Sequence, residues 1–91
     1  MALIIHFQTK NMTEDTYTEV IRRLDAAGAG APRGRLHHTC YGAAPLRVVD
    51  VFDTKDNFEA FGKTLLPILQ QLGVEFAGPP AVDEVKHIIR G

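Results

Sequence analysis

VVDVFDTKDNFEAFGKTLLPIL, residues 48–69, sets the fold class because it passes from one periodicity to another within a single turn. Its first part is β-branched and aromatic, and reads as a strand from Leu46 to Asp53. Asp53 or Thr54 then caps a helix, with Asp56 in the first turn where the helix dipole favours negative charge. From there the apolar residues follow helical spacing: Phe58, Phe61, Leu65, Ile68, Leu69 and Leu72. Pro67 lies inside that pattern and predicts a kink or a break. Gly73 is a suitable cap, and Gly78-Pro79-Pro80 makes a loop before a last strand, read as Ala81 to Ile89.

Working back from that stretch, Gly42 to Pro45 is a turn that joins the Leu46–Asp53 strand to an earlier one at Arg35 to Tyr41, giving an antiparallel hairpin. The segment GAGAPRG (Gly28 to Gly34) is the clearest loop in the chain. Before it, Thr13 offers an N-cap, Glu14 and Asp15 follow, and Tyr17, Val20, Ile21 and Leu24 mark a helix ending near Ala27 or Gly28. The opening run, Ala2 to Thr9, is a buried strand. The expected class is therefore α+β, one ferredoxin-like β-α-β-β-α-β domain over residues 1–91. Right-handed crossovers predict a four-stranded antiparallel sheet in the order 4-1-3-2, with both helices on one face.

Ninety-one residues make a small domain, whose modest core usually needs a supplement. Cys40 is the one cysteine, so an internal disulfide is excluded, and no Cys/His spacing suggests structural zinc. Ten basic against eleven acidic residues give a net charge of -1, and Arg33 with Arg35 is only a small basic cluster. That balance predicts no nucleic-acid partner. The start of the chain has no basic region before its short apolar run, which predicts neither a signal peptide nor a membrane span, and a cytoplasmic location is expected. Apolar residues occur on both faces of the first and third strands, so a homodimer through the uncovered sheet face is the expected supplement.

The stretches LIIHFQTKNMTEDTY (residues 3–17) and VVDVFDTKDNFEAFGKTLLPIL, with a short closing strand, resemble the dimeric α/β-barrel superfamily. They are similar in particular to the small proteins related to antibiotic-biosynthesis monooxygenases, over nearly the whole chain. That resemblance implies two ferredoxin-like subunits packed sheet to sheet. Family members with monooxygenase activity carry a polar residue, often Asn, within the first strand and an aromatic, often Trp, ending the third. His6 and Phe52 stand at the matching positions, and both are departures. The haem-degrading branch takes a His from the second helix, and the helix here contains none.

If strand alternation holds, His6, His38, Asp50 and Phe52 share one sheet face. A His beside a carboxylate is oriented and made more basic, and such a pair can abstract a proton from a phenol or enol. This points to a cofactor-independent monooxygenase or isomerase acting on a small aromatic or polyketide-like compound, with His6 as base, Asp50 orienting it and His38 assisting. Phe52, Phe58, Phe61 and Cys40 would line the ligand pocket. Two other readings of the same residues stand beside this one. His6, His38 and Asp50 can satisfy one another as a polar network in the core of a non-catalytic ligand-binding or accessory dimer, or bind a metal, although their spacing is not a metal motif. No cofactor is implied: GAGAPRG does not follow a strand and open a helix, so it is not a nucleotide cradle. The absence of serine excludes a serine nucleophile. His37, Thr39 and Tyr41 should point away from His38, and His87 belongs to the last strand.

Overall fold

The computed structural model covers residues 1–91 and has six elements. They are β1 (Leu3–Gln8), α1 (Glu14–Ala26), β2 (Arg35–Tyr41), β3 (Arg47–Phe52), α2 (Lys55–Gln71) and β4 (Ala81–Glu84). The sheet is antiparallel throughout, in the order β2-β3-β1-β4, which is the ferredoxin-like arrangement expected from the crossovers. No helix is long and apolar enough to cross a membrane.

Both helices start on threonine caps. The Thr13 hydroxyl accepts from the Thr16 amide and the Thr54 hydroxyl from the Asn57 amide, each satisfying a donor that a helix N-terminus leaves unpaired. α2 runs unbroken through Pro67, contrary to the expected kink. Proline removes the amide that would bond the Lys63 carbonyl, but Lys63 and Pro67 are both exposed, so water can take that carbonyl. The last strand is also shorter than expected. In its register Leu3 faces Glu84, and the Val85 amide reaches the Ala2 carbonyl, so β1 runs out of partner backbone there. Residues 86–89 have no neighbouring strand to extend along.

Ile5 and Phe7 of β1, with Val48 and Phe52 of β3, face Val20 and Leu24 of α1 and Phe61, Ile68 and Leu69 of α2. Phe52 and Ile5 are fully buried, and Phe52 packs its ring on Phe58 and Phe61. The near end of this core is stitched by Thr9. Its hydroxyl donates to the Leu46 carbonyl at 2.8 Å and accepts from the Met12 amide. Asn11 fixes the segment after α2 by bonding both the Gly73 carbonyl and the Glu75 amide.

Register assigns each residue to a face. Ile5 pairs with Asp50 and Phe7 with Val48, while His38 pairs with Asp50 and Cys40 with Val48. Directly opposed residues share a face, so Asp50 and His38 point toward the helices with the core. His6 pairs with Val49, which pairs with Thr39. His6 therefore lies on the open face, with Ile4, Val49, Val51 and His37. The expected grouping of His6 with Asp50 is corrected here. The two residues lie on neighbouring strands but are out of phase, so their side chains leave opposite sides of the sheet.

Candidate functional site: a buried Asp-His-Tyr chain

Asp50 is the one buried acid of the sheet, 2 % exposed among Val48, Phe52 and Ile5. A carboxylate in such surroundings needs a hydrogen-bonding partner. β2 supplies it: His38 Nδ1 lies 2.6 Å from Asp50 Oδ1. The opposite ring nitrogen, Nε2, lies 2.6 Å from the Tyr17 hydroxyl on α1. The Tyr17 and His38 rings lie edge to edge, with their planes 5° apart and their centroids 6.0 Å apart. No buried side-chain nitrogen or oxygen is left without a partner.

The acceptor and donor roles along this chain follow from its ends. An ionised Asp50 can only accept, so Nδ1 carries the proton; Nε2 of the neutral imidazole then accepts, and Tyr17 donates to it. Tyr17 is suited to donate. Burial pushes its phenol above the ordinary value of 10.0, the neighbouring Cys40 and Asp50 groups push the same way, and Arg35 partly offsets them. The Cys40 thiol is likewise raised, by burial first and then by Glu14, so it stays protonated and inert.

Tyr17, His38 and Asp50 lie on the wall of a cavity of about 50 Å³ between the sheet and the two helices. Most of that wall is apolar, with Val20, Leu24, Phe61 and Leu69 among its residues. Arg35 is the cationic group of the wall. Its guanidinium sits 6.0 Å from the Phe61 ring centroid and donates to the Gly30 carbonyl at 3.0 Å.

Of the residues singled out from sequence, His38, Asp50 and Phe61 come together at this cavity. Phe52 is packed in the core behind it, and neither Phe58 nor Cys40 reaches the wall; both pack against the core cluster instead. His6 lines a separate pocket of about 250 Å³ on the other face, with Gln8 and Pro79. No group of three or more His, Cys, Asp or Glu is placed to hold a metal ion. Sequence reasoning missed Tyr17 and Arg35. Tyr17 had a signal: a tyrosine within the apolar stripe of a helix needs a partner for its hydroxyl when buried. Arg35 had none, because a β-bulge turns it inward. Arg35 pairs with Phe52 and His37 with Val51, leaving Leu36 as the extra residue. Without the bulge, Arg35 would share the open face with His37.

No family sequence model matches the chain, and no curated protein matches it. Solved structures do. The protein YjcS superposes with a TM-score of 0.65 at 11% identity, over 94% of this chain and all of that one. The cofactor-independent oxygenase SnoaB of Streptomyces nogalater superposes at 0.61 with 14% identity, over 99% of this chain and 96% of its own. This chain has the fold of the antibiotic-biosynthesis monooxygenase-like proteins. A third protein of this fold, from Chloroflexus aurantiacus and described as a candidate antibiotic biosynthesis monooxygenase, gives 0.57 at 13% identity over 98% and 97% of the two chains. At such identities the likeness is one of fold, and the chemistry has to be argued from the chain's own residues.

Proposed function

We propose that this protein is a cofactor-independent general-base enzyme of the monooxygenase or isomerase type, acting on a small aromatic or polyketide-like compound. The observation that supports this reading is the chain from buried Asp50 through His38 to the Tyr17 hydroxyl on Nε2, with all three residues on the wall of an apolar cavity. His38 is the base, and Asp50 holds it in the Nδ1–H tautomer and stabilises the imidazolium formed when a proton arrives. A phenol or enol donates its proton to Nε2 and becomes an anion, with Arg35 on the same wall to balance the charge. Return of the proton to a different atom completes an isomerisation. Reaction of the electron-rich anion with dioxygen begins an oxygenation. The fold shared with SnoaB, itself a cofactor-independent oxygenase, agrees with this class. The working unit is proposed to be a homodimer through the open sheet face, in the cytoplasm, where a lone thiol such as Cys40 stays reduced.

The cavity volume favours a second reading. About 50 Å³ is well short of the roughly 300–1,000 Å³ of typical ligand sites. A filled interior suits a non-catalytic dimer in which Asp50, His38 and Tyr17 satisfy one another. Oxygen uptake and solvent-deuterium incorporation, measured on a panel of quinols and anthrones, separate the two. Catalysis requires turnover that falls about 10²–10⁴-fold in His38→Gln and in Asp50→Asn while circular dichroism stays native. Turnover unaffected by both substitutions removes the base, and a wild type inert to the whole panel leaves the binding reading.

A further inference from the structure

The small cavity and the position of Tyr17 have a common origin. Tyr17 places a complete phenol, ring and hydroxyl, against the one imidazole nitrogen that an incoming proton must reach. Its ring lies edge to edge with that of His38 and nearly parallel to it, and its hydroxyl lies within the influence of Arg35. The surrounding wall is mostly apolar, as a ring requires. Every interaction that a phenolic substrate would use at this base is therefore already made by a side chain of the protein.

We infer that Tyr17 is an internal stand-in for the substrate, so that the site takes a single-ring phenol or planar enol whose hydroxyl replaces that of Tyr17 on His38 Nε2. This rests on His38 being the base proposed above. Tyr17 is half-buried on α1, not locked in the core, so rotation about its own side-chain bonds can carry the ring outward. The volume that the Tyr17 phenol vacates then adds to the existing 50 Å³, and is the space a single ring would take. The exchange conserves hydrogen bonds: one phenolic donor leaves Nε2 and another takes its place. Proton transfer from the new occupant yields phenolate and imidazolium, the imidazolium held by Asp50 and the phenolate facing Arg35. Ligand affinity is lowered by the fraction of molecules in which Tyr17 occupies the site.

The test uses 4-nitrophenol as the probe, its ionisation read by absorbance and its binding by titration, on the full chain. Tyr17→Phe keeps the ring but removes the competing hydroxyl, and should bind the probe about tenfold more tightly than wild type. Tyr17→Ala clears the volume as well and should bind at least as tightly as Tyr17→Phe. In wild type the Tyr17 ring resonances should move as the probe saturates. The inference is overturned if Tyr17→Phe binds no better than wild type, or if the Tyr17 ring signals stay put while those of His38 shift. His38→Gln distinguishes the two levels of the argument. If it binds the probe as well as wild type, the base itself is wrong. If it loses binding while Tyr17→Phe gains nothing, the base stands and the stand-in alone is rejected.

Discussion

Asp50 occupies a position where its strand neighbours on the same face, Val48 and Phe52, are buried apolar residues. An unpaired carboxylate there would ordinarily be too costly to keep. Its bond to His38, and that of His38 to Tyr17, are the reason it is tolerated, so the three residues behave as one unit. Tyr17 reports on that unit through its ionisation. Burial raises its pKa above 10.0, so the stabilisation linked to its protonated form is complete below pH 10 and is lost as pH rises through the higher folded-state value. The chain has two tyrosines, and the difference between wild-type and Tyr17→Phe ultraviolet titrations isolates this one. The difference curve should have its midpoint above pH 10; a midpoint at or below 10 would mean that the phenol is solvated and the hydrogen bond to Nε2 is not made.

At the scale of elements, the entry into β2 decides what faces the cavity. Gly34 has a φ of 83°, a region that strains other residues, and its carbonyl accepts from the Asp53 amide at 2.8 Å. A Cβ at Gly34 would fall 2.2 Å from Asp53 Oδ1 and 2.5 Å from Asn57 Nδ2. It would therefore disturb the Asn57–Asp53 bond that holds the Asp53 carboxyl below its usual range. Gly34→Ala should lose about 1–3 kcal/mol in urea unfolding. Because the next residue is Arg35, it should also weaken ligand binding at the cavity. A fully stable Gly34→Ala would show that the loop has another way to turn. The bulge at Leu36 acts at this same junction, and the helix α2 shows the opposite behaviour: Pro67 lies on its exposed side and changes its course little enough that the helix continues to Gln71.

For the molecule as a whole, the open sheet face has an apolar centre of half-buried Ile4 and Val49, beside Val51, which is buried within the single chain. Around it lie His6, Gln8, His37, Thr39 and an Arg47 guanidinium stacked 5.0 Å over the Tyr41 ring. An apolar middle within a polar rim is the composition of an interface. Burial of roughly 300 Å² of apolar surface per subunit would contribute about 7–8 kcal/mol before association costs. Sedimentation equilibrium at micromolar concentration should give twice the 10.0 kDa chain mass, and Val49→Asp should reduce it to the single-chain mass. A wild type that sediments as one chain ends the dimer proposal, and His6 then belongs to a solvent-facing surface.

What the chain discloses without its structure is the part governed by local physics. Threonine caps, a 3.6-residue stripe after a β-branched run, and glycine-rich breaks are short-range signals, and they yield the order of elements, the helix starts and the sheet order. The pairing of His38 with Asp50 was also readable, since adjacent strands of a short hairpin keep a simple phase. The phase of β1 against β3 was not, because a helix and a second strand intervene between them. A clue existed in the aromatic residues: Phe7 and Phe52 both belong inward, which already sets Asp50 apart from His6. The bulge that turns Arg35 inward, the early end of β4, and the meeting of Tyr17 with His38 depend on contacts between segments distant in the chain. They were decided by tertiary packing, since neither a side chain's face nor its partner exists until the strands and helices have docked.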